Sequence, residues 1–371
     1  GFVGDLTNME TSYIFKEFFD RTLDIQNYES RSDNRFIDTN KRENYLFNSS
    51  INGIEESDLI FLIGTNPRYE ATILNARIRK SFLNNNTKVI SLNDLGDLTF
   101  PYESLDGQTQ TLKDIFEDNH EISKKIIAAD KPMIILGESL LNLKSSKYFF
   151  NIIKEFLVSN DKINDDWNSF NILSSDAATV GNFDLGLVNE DNNLLEDLQN
   201  HKFDIIYLVG QDNLNFDKKD EFIIYQGSHG DKGAEMADII LPGSAYTEQD
   251  GFFTNLEGNL QKAYKASYPP GEAKEDWQII NELAEVMNNR KLFNDKDELE
   301  SSMINYLNLQ KEKQNSLVDQ NKDISTDDFN NETLTVSVKD YYFSNVIARS
   351  SKTMVECNNS KLNLKPTGTE G

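Results

Sequence analysis

Apolar residues in this chain gather into short runs that stop at glycine, proline or small polar residues. The clearest are Asp58–Gly64 (DLIFLIG), Thr87–Leu92, Pro132–Gly137 (PMIILG), Phe170–Leu173, Asp204–Gly210 (DIIYLVG), Phe222–Tyr225 and Asp238–Leu241. Runs of this length, rich in β-branched residues, read as buried strands rather than helices. Between them the apolar spacing becomes helical over Met9–Leu23, Glu70–Leu83, Thr111–Phe116, Ile122–Ala129, Tyr148–Leu157, Leu194–Leu198 and Lys274–Met287, with Thr7 as an N-cap for the first. Strands alternating with helices predict right-handed crossovers and parallel pairing. The pattern organises around Glu221–Gln261, where two short strands separated by a glycine loop lead into a Gly-bounded hairpin, GFFTNLEGNLQ. The expected fold is α/β: doubly wound, mainly parallel sheets in two lobes, with an extended C-terminal arm.

The expected division is an α/β lobe over residues 1–130, a second lobe over 131–290, and a helical or extended, partly flexible arm over 291–371. Gly1–Leu6 reads as a truncated first strand whose open edge would accept a companion chain. Asp24–Asn52 is polar and irregular and reads as a long surface connection. In the arm, Ser302–Leu309 is expected to be helical and Gln310–Asn331 a linker. Thr333–Val338 should be extended, Tyr341–Ile347 an aromatic anchor, and Asn358–Gly371 loose.

Composition narrows the function classes. The 371 residues carry 37 Lys and Arg against 62 Asp and Glu, a formal net charge of −25. Such a surface repels phosphate backbones and anionic headgroups, which argues against nucleic-acid and membrane-surface binding. No apolar run approaches the roughly 20 residues of a membrane span. The single cysteine, Cys357, excludes an internal disulfide, a four-cysteine iron–sulfur site and a cysteine-based zinc site within the chain. His120, His201 and His229 share no ligand spacing.

Candidate chemistry is sparse. Gly227, Gly230 and Gly233 follow a strand and could cradle a phosphate. Their spacing matches neither a dinucleotide fingerprint nor a P-loop, so a tight turn is the simpler reading. His229 reads as a loop residue. Glu248 and Glu257 could form a carboxylate pair, with a packing role preferred. Arg68, Arg77, Arg79 and Lys80 form the densest positive cluster, read as surface charge or as ion pairs to acidic loops of this chain or a partner. Trp277 reads as a core aromatic and Cys357 as an inert tail thiol.

Longer stretches carry a resemblance. ADIILPGSAYTEQDGFFTNLEGNLQ resembles the molybdopterin-oxidoreductase signature. Tyr225–Glu248, Glu56–Leu83 and Pro269–Met287 are similar to one non-molybdenum branch, the 75 kDa iron–sulfur subunit of respiratory complex I. The match covers the C-terminal half of that subunit. The resemblance implies a molybdopterin-oxidoreductase-like fold and a non-catalytic structural role in the peripheral arm of an enzyme that passes electrons from NADH to ubiquinone and pumps protons. It implies no cofactor and no metal in this chain, with iron–sulfur clusters on a companion N-terminal half. Partners would be that half and other hydrophilic-arm subunits, on the matrix side of the mitochondrial inner membrane. Gly64, Asn66, Gly227, His229 and Gly230 would line the vestige of a cofactor cleft. Two departures from cofactor-bearing relatives count against an active enzyme fragment, the alternative reading. Asn93-Asp94-Leu95-Gly96 replaces an Asp-Pro-Arg sequence, and Ser228–Lys232 replaces a Thr-Glu-Thr-like run.

Overall fold

The computed structural model describes residues 1–189, 193–315 and 328–363. Its strands are β1 (Phe2–Val3), β2 (Leu59–Ile63), β3 (Lys88–Ser91), β4 (Glu103–Ser104), β5 (Pro132–Gly137), β6 (Phe170–Leu173), β7 (Ile205–Val209), β8 (Phe222–Gly227), β9 (Ile239–Pro242), β10 (Gly251–Thr254) and β11 (Leu260–Ala263). They form a parallel sheet in the order β1-β7-β8-β9, a second parallel sheet in the order β4-β3-β2-β5-β6, and the antiparallel hairpin β10–β11.

The chain packs as two compact units. Of the described residues, the first comprises 1–34, 176–189, 193–315 and 342–363; the second comprises 35–175 and 328–341. The expected borders at 130/131 and 290/291 are therefore corrected. The cause is strand order: β1 pairs with β7, Phe2 against Leu208, so the start of the chain folds with a strand far along it.

In the second unit, β2 and β5 are buried along their whole length. This is why their sequences are continuous apolar runs: a parallel sheet is covered on both faces. Phe61, Ile63, Ile134 and Leu136 meet Leu112 and Ile115 of helix Thr109–Phe116 and Phe149 and Ile153 of helix Ser146–Ser159. In the first unit, Tyr207 and Val209 on one sheet face pack with Phe15 of helix Met9–Glu17 and with Trp277 and Ile280 of helix Asp276–Asn288. Ile206, Leu208, Ile223 and Tyr225 on the other face cover helix Leu194–Gln199. The hairpin lies against the first helix, where the Phe252 amide donates to Glu10 at 2.8 Å.

Three further expectations are corrected. Asp24–Asn52 is irregular but not a surface connection: Tyr28, Glu29, Tyr45 and Phe47 are buried. Phe47 bridges Asn171 on β6, and Asn48 Nδ2 donates to the Phe170 carbonyl at 2.6 Å, so this polar stretch seals a sheet edge. The outer edge of β1 is likewise occupied, by Glu29, through Val3 N to Glu29 O and Glu29 N to Gly1 O, both 3.0 Å. The arm is also more helical than expected, with helices Lys296–Asn315, Val346–Ser350 and Lys352–Asn363. The helix over Ser302–Leu309 thus runs into the expected linker, and residues 316–327 of that linker lie outside the described residues, as do 364–371 of the expected loose end. Thr333 makes a single bridge to Gln108.

Candidate functional site

The residues singled out in the sequence fall on two strand-end loops, one in each unit. Gly64 and Asn66 share the loop after β2. Gly227 ends β8, and His229 and Gly230 lie in the loop that follows it. Ligands of open α/β sheets commonly bind at such C-terminal strand ends.

At the β2 loop, Gly64 has φ of +68°, and a Cβ there would lie 2.5 Å from the Leu140 backbone nitrogen. Asn66 caps the short helix Pro67–Glu70: its Oδ1 accepts from Arg68 N at 3.2 Å, and its Nδ2 donates to Leu95 O at 3.1 Å. Glu70 folds back over the same turn, accepting from Thr65 Oγ1 at 2.6 Å and from the Asn66 backbone N–H. Burial raises the pKa of Glu70, and these donors oppose the rise. The next loop, after β3, is closed in the same way. Asp94 accepts from Gly96 N and Tyr102 OH, each at 2.9 Å, and these bonds hold it below the usual carboxylate range. Asn93 donates to Leu334 O at 2.6 Å.

The basic cluster beside these loops is paired within its own chain. Arg68 meets Asp97 at 2.6 Å, and Arg77 and Lys80 meet Glu55 at 2.9 and 2.7 Å. Arg79 is exposed.

At the β8 loop the organiser is Tyr225, which the sequence reading passed over. Its hydroxyl donates to Asp212 Oδ2 at 2.8 Å, and the His229 carbonyl lies 3.1 Å from the same hydroxyl and shares its proton. Asp212 Oδ1 accepts from Gly233 N at 3.1 Å. A Cβ on Gly227 or Gly233 would come within 2.5 or 2.7 Å of Tyr225, so both glycines make room for that ring; Gly230 has open space instead. His229 Nδ1 lies 2.9 Å from Ser228 Oγ. Among the described residues, no group of three or more His, Cys, Asp or Glu side chains is placed to hold a metal. Glu248 accepts from Ala245 N at 2.9 Å and Glu257 from Asn255 and Asn259, so each carboxylate braces its own turn.

Beneath β8 runs a buried polar chain. Tyr207 OH donates to Gln226 Oε1 at 2.5 Å, Gln226 Nε2 donates to Asp276 Oδ1 at 2.8 Å, and Gln249 Nε2 donates to Asp276 Oδ2 at 3.0 Å. Burial pushes Asp276 up to about 6 and raises Tyr207 as well. Trp277 beside it is core, as expected, with its Nε1 on Glu275 at 2.9 Å. Cys357 is exposed on helix Lys352–Asn363.

The arrangement closes loops. A dinucleotide at either strand end would need free backbone donors for its phosphates. The Asn66 and Gly233 amides are already bound by Glu70 and Asp212, so the residues present do not fit that group. Asp212 stands just past the end of β7, a position that could have drawn attention in the sequence. Glu70 and Tyr225 gave no such signal, because their partners are set by tertiary packing.

The molybdopterin oxidoreductase family matches residues 1–286, and the C-terminal family of the NADH-ubiquinone oxidoreductase G subunit matches residues 304–357. The NADH-ubiquinone oxidoreductase 75 kDa subunit of Reclinomonas americana is 35% identical over 96% of this chain and 54% of its own length. The G subunit of NADH-quinone oxidoreductase from Rickettsia bellii is 36% identical over 99% of this chain and 53% of its own. The mitochondrial NADH-ubiquinone oxidoreductase 78 kDa subunit of Candida albicans is 38% identical over 85% and 45%. The chain thus spans about half the length of the curated relatives it matches. A solved acetylene hydratase from Pelobacter acetylenicus superposes with a TM-score of 0.42 at 12% identity, over 63% of this chain and 47% of that one.

Proposed function

This chain belongs to the family of the 75 kDa, or G, subunit of NADH-quinone oxidoreductase, and from that premise we propose that it is a structural, non-catalytic part of the enzyme's peripheral arm. The observation that carries the reading is the filling of both strand-end loops by the chain's own carboxylates, Glu70 at the Asn66 amide and Asp212 at the Gly233 amide. The fold is kept, and the anion-binding positions are used for internal bracing. With one cysteine, the chain cannot hold a four-cysteine cluster. Electron-carrying clusters therefore belong to a companion N-terminal half, which this chain braces through a large, largely apolar contact. Other hydrophilic-arm subunits are its remaining partners. Oxidation of NADH, reduction of ubiquinone and proton pumping belong to the assembly.

Relatives in Candida albicans and in Rickettsia support the matrix side of the mitochondrial inner membrane, or its bacterial equivalent, as the location. Among the described residues no helix is long and apolar enough to cross a membrane.

The test is gentle detergent extraction of native membranes, native-gel separation and mass spectrometry for this chain, with metals and pterin assayed on the purified polypeptide. Co-migration with a near-megadalton NADH-oxidising band, without molybdenum or tungsten on the chain, is the expected result. A small species carrying pterin and metal would restore the reading as a molybdopterin-dependent oxidoreductase fragment.

A further inference from the structure

The loop after β8 is not empty. Arg349, from the short helix Val346–Ser350 of the C-terminal arm, sits on it within the first unit. Its Nε donates to Asp231 Oδ2 at 2.5 Å, its Nη2 to Asn213 Oδ1 at 3.2 Å, and its Nη1 to Phe343 O at 3.2 Å. All three guanidinium nitrogens therefore have an acceptor. Ser350 Oγ reaches the Gly230 carbonyl at 3.4 Å.

Asn213 is held in the accepting orientation, because its amide nitrogen donates to Asp5 Oδ2 at 2.5 Å. Next to Asn213, Asp212 is buried, and its charge is opposed by Asp231 and favoured by Arg349. Two carboxylates and one carbonyl-presenting amide thus converge where a phosphate would need donors.

We propose that Asp231, in the loop after β8, and Asn213, in the loop after the neighbouring parallel strand β7, form a guanidinium-binding site, and that Arg349 is its resident ligand and fastens the arm to the first unit. The fan of acceptors suits a planar fork with several N–H donors better than the point charge of a lysine. Both side chains of the ion pair are shielded, at 26% and 21% exposure, so solvent screens the contact less than an open surface pair.

The last part of the arm, residues 342–363, packs loosely. No residue of Val346–Ser350 is buried, and the described side chains of the following helix are exposed or half-buried. The Arg349 clamp thus joins a segment of half-buried and exposed side chains to the loop after β8.

The experiment is amide hydrogen exchange on the full chain, comparing wild type with Arg349→Ala, Arg349→Lys, Asp231→Asn and the Arg349→Ala/Asp231→Asn double variant. Loss of a charge-assisted hydrogen bond is expected to raise exchange at residues 346–363 by roughly tenfold or more. Lysine should recover only part of the protection, and the double variant should be no worse than Arg349→Ala. The amides of β7 and β8 should be unchanged. Unchanged exchange in the arm, or effects of the two single variants that simply multiply, would overturn the site. If any variant loosens the sheet as well, binding of a synthetic peptide of residues 342–352 to the Arg349→Ala chain decides. Saturable binding that is lost when the peptide's arginine becomes lysine supports the site. Absence of binding overturns it.

Discussion

Asp276 is a carboxylate whose two side-chain partners are neutral amides, Gln226 and Gln249, in a fully enclosed position. Burial pushes it from 3.8 to about 6, and pushes Glu10, which accepts from Phe252 N, from 4.5 to about 7. For an acid raised in the folded state, the proton binds the fold more tightly than the unfolded chain. Its contribution is fully present below the unfolded value and is lost as pH rises through the folded one. From these two groups the first unit should therefore gain stability as pH falls from about 7 to about 4, opposite to ordinary acid destabilisation. Each shift of about two units corresponds to an upper bound of about 3 kcal/mol. Asp276→Asn should remove one of these dependences. Gln249 Oε1 lacks a partner, so a flipped Gln249 amide can accept from the side-chain nitrogen that this substitution introduces. The variant is expected to be about 1 to 3 kcal/mol more stable than wild type at pH 8, with that gap about halved at pH 5 and closed below about pH 4. Urea unfolding followed at Trp277, with Trp167 replaced by Phe, reads this unit alone; an equal midpoint at pH 8 would refute it.

At the scale of elements, the strand-end loops are fixed by close approach. Gly64 combines a positive φ with a backbone contact that leaves no room for a Cβ. Gly64→Ala is expected to cost about 2 kcal/mol or more, from left-handed strain plus overpacking. Glu70→Ala strips the acceptor from Thr65 Oγ1 and Asn66 N and should cost about 1 to 3 kcal/mol. Both losses belong to the second unit, where Trp167 bonds the Pro132 carbonyl at 2.7 Å and reports its unfolding. A midpoint for Glu70→Ala matching wild type would mean that water replaces the carboxylate at no cost. These elements differ in how well the sequence revealed them. The runs at β2, β5 and β7 were plain because parallel strands covered on both faces must be apolar throughout. The hairpin was plain because glycines bound it and Asn255 and Gly258 turn it. The stretch over Asp24–Asn52 misled because its polar groups are satisfied against β6, a pairing that composition does not encode. The arm's attachment was invisible for a related reason: Arg349 and Asp231 lie 118 positions apart, and no local pattern joins them.

The whole molecule combines a net charge of −25 with exposed apolar side chains on the first unit, and these act on different stages of assembly. Distant acidic surface steers a basic partner and governs how fast the two meet, whereas contact area governs how long they stay. Ile239 and Ile240 of the outer strand β9 are 45% and 55% exposed, and Tyr264 and Tyr268 beyond the hairpin are 77% and 78% exposed, so the first unit offers apolar surface for lasting contact. The companion N-terminal half, co-expressed and purified with this chain, is therefore expected to stay bound when ionic strength rises from about 0.1 M to about 1 M, although the screening length falls from about 10 to about 3 Å. The association rate measured by stopped flow should fall over the same range while the dissociation rate barely changes. Dissociation in high salt would place the bracing contact on the acidic surface instead, and would remove the apolar interface from the structural role proposed for this chain.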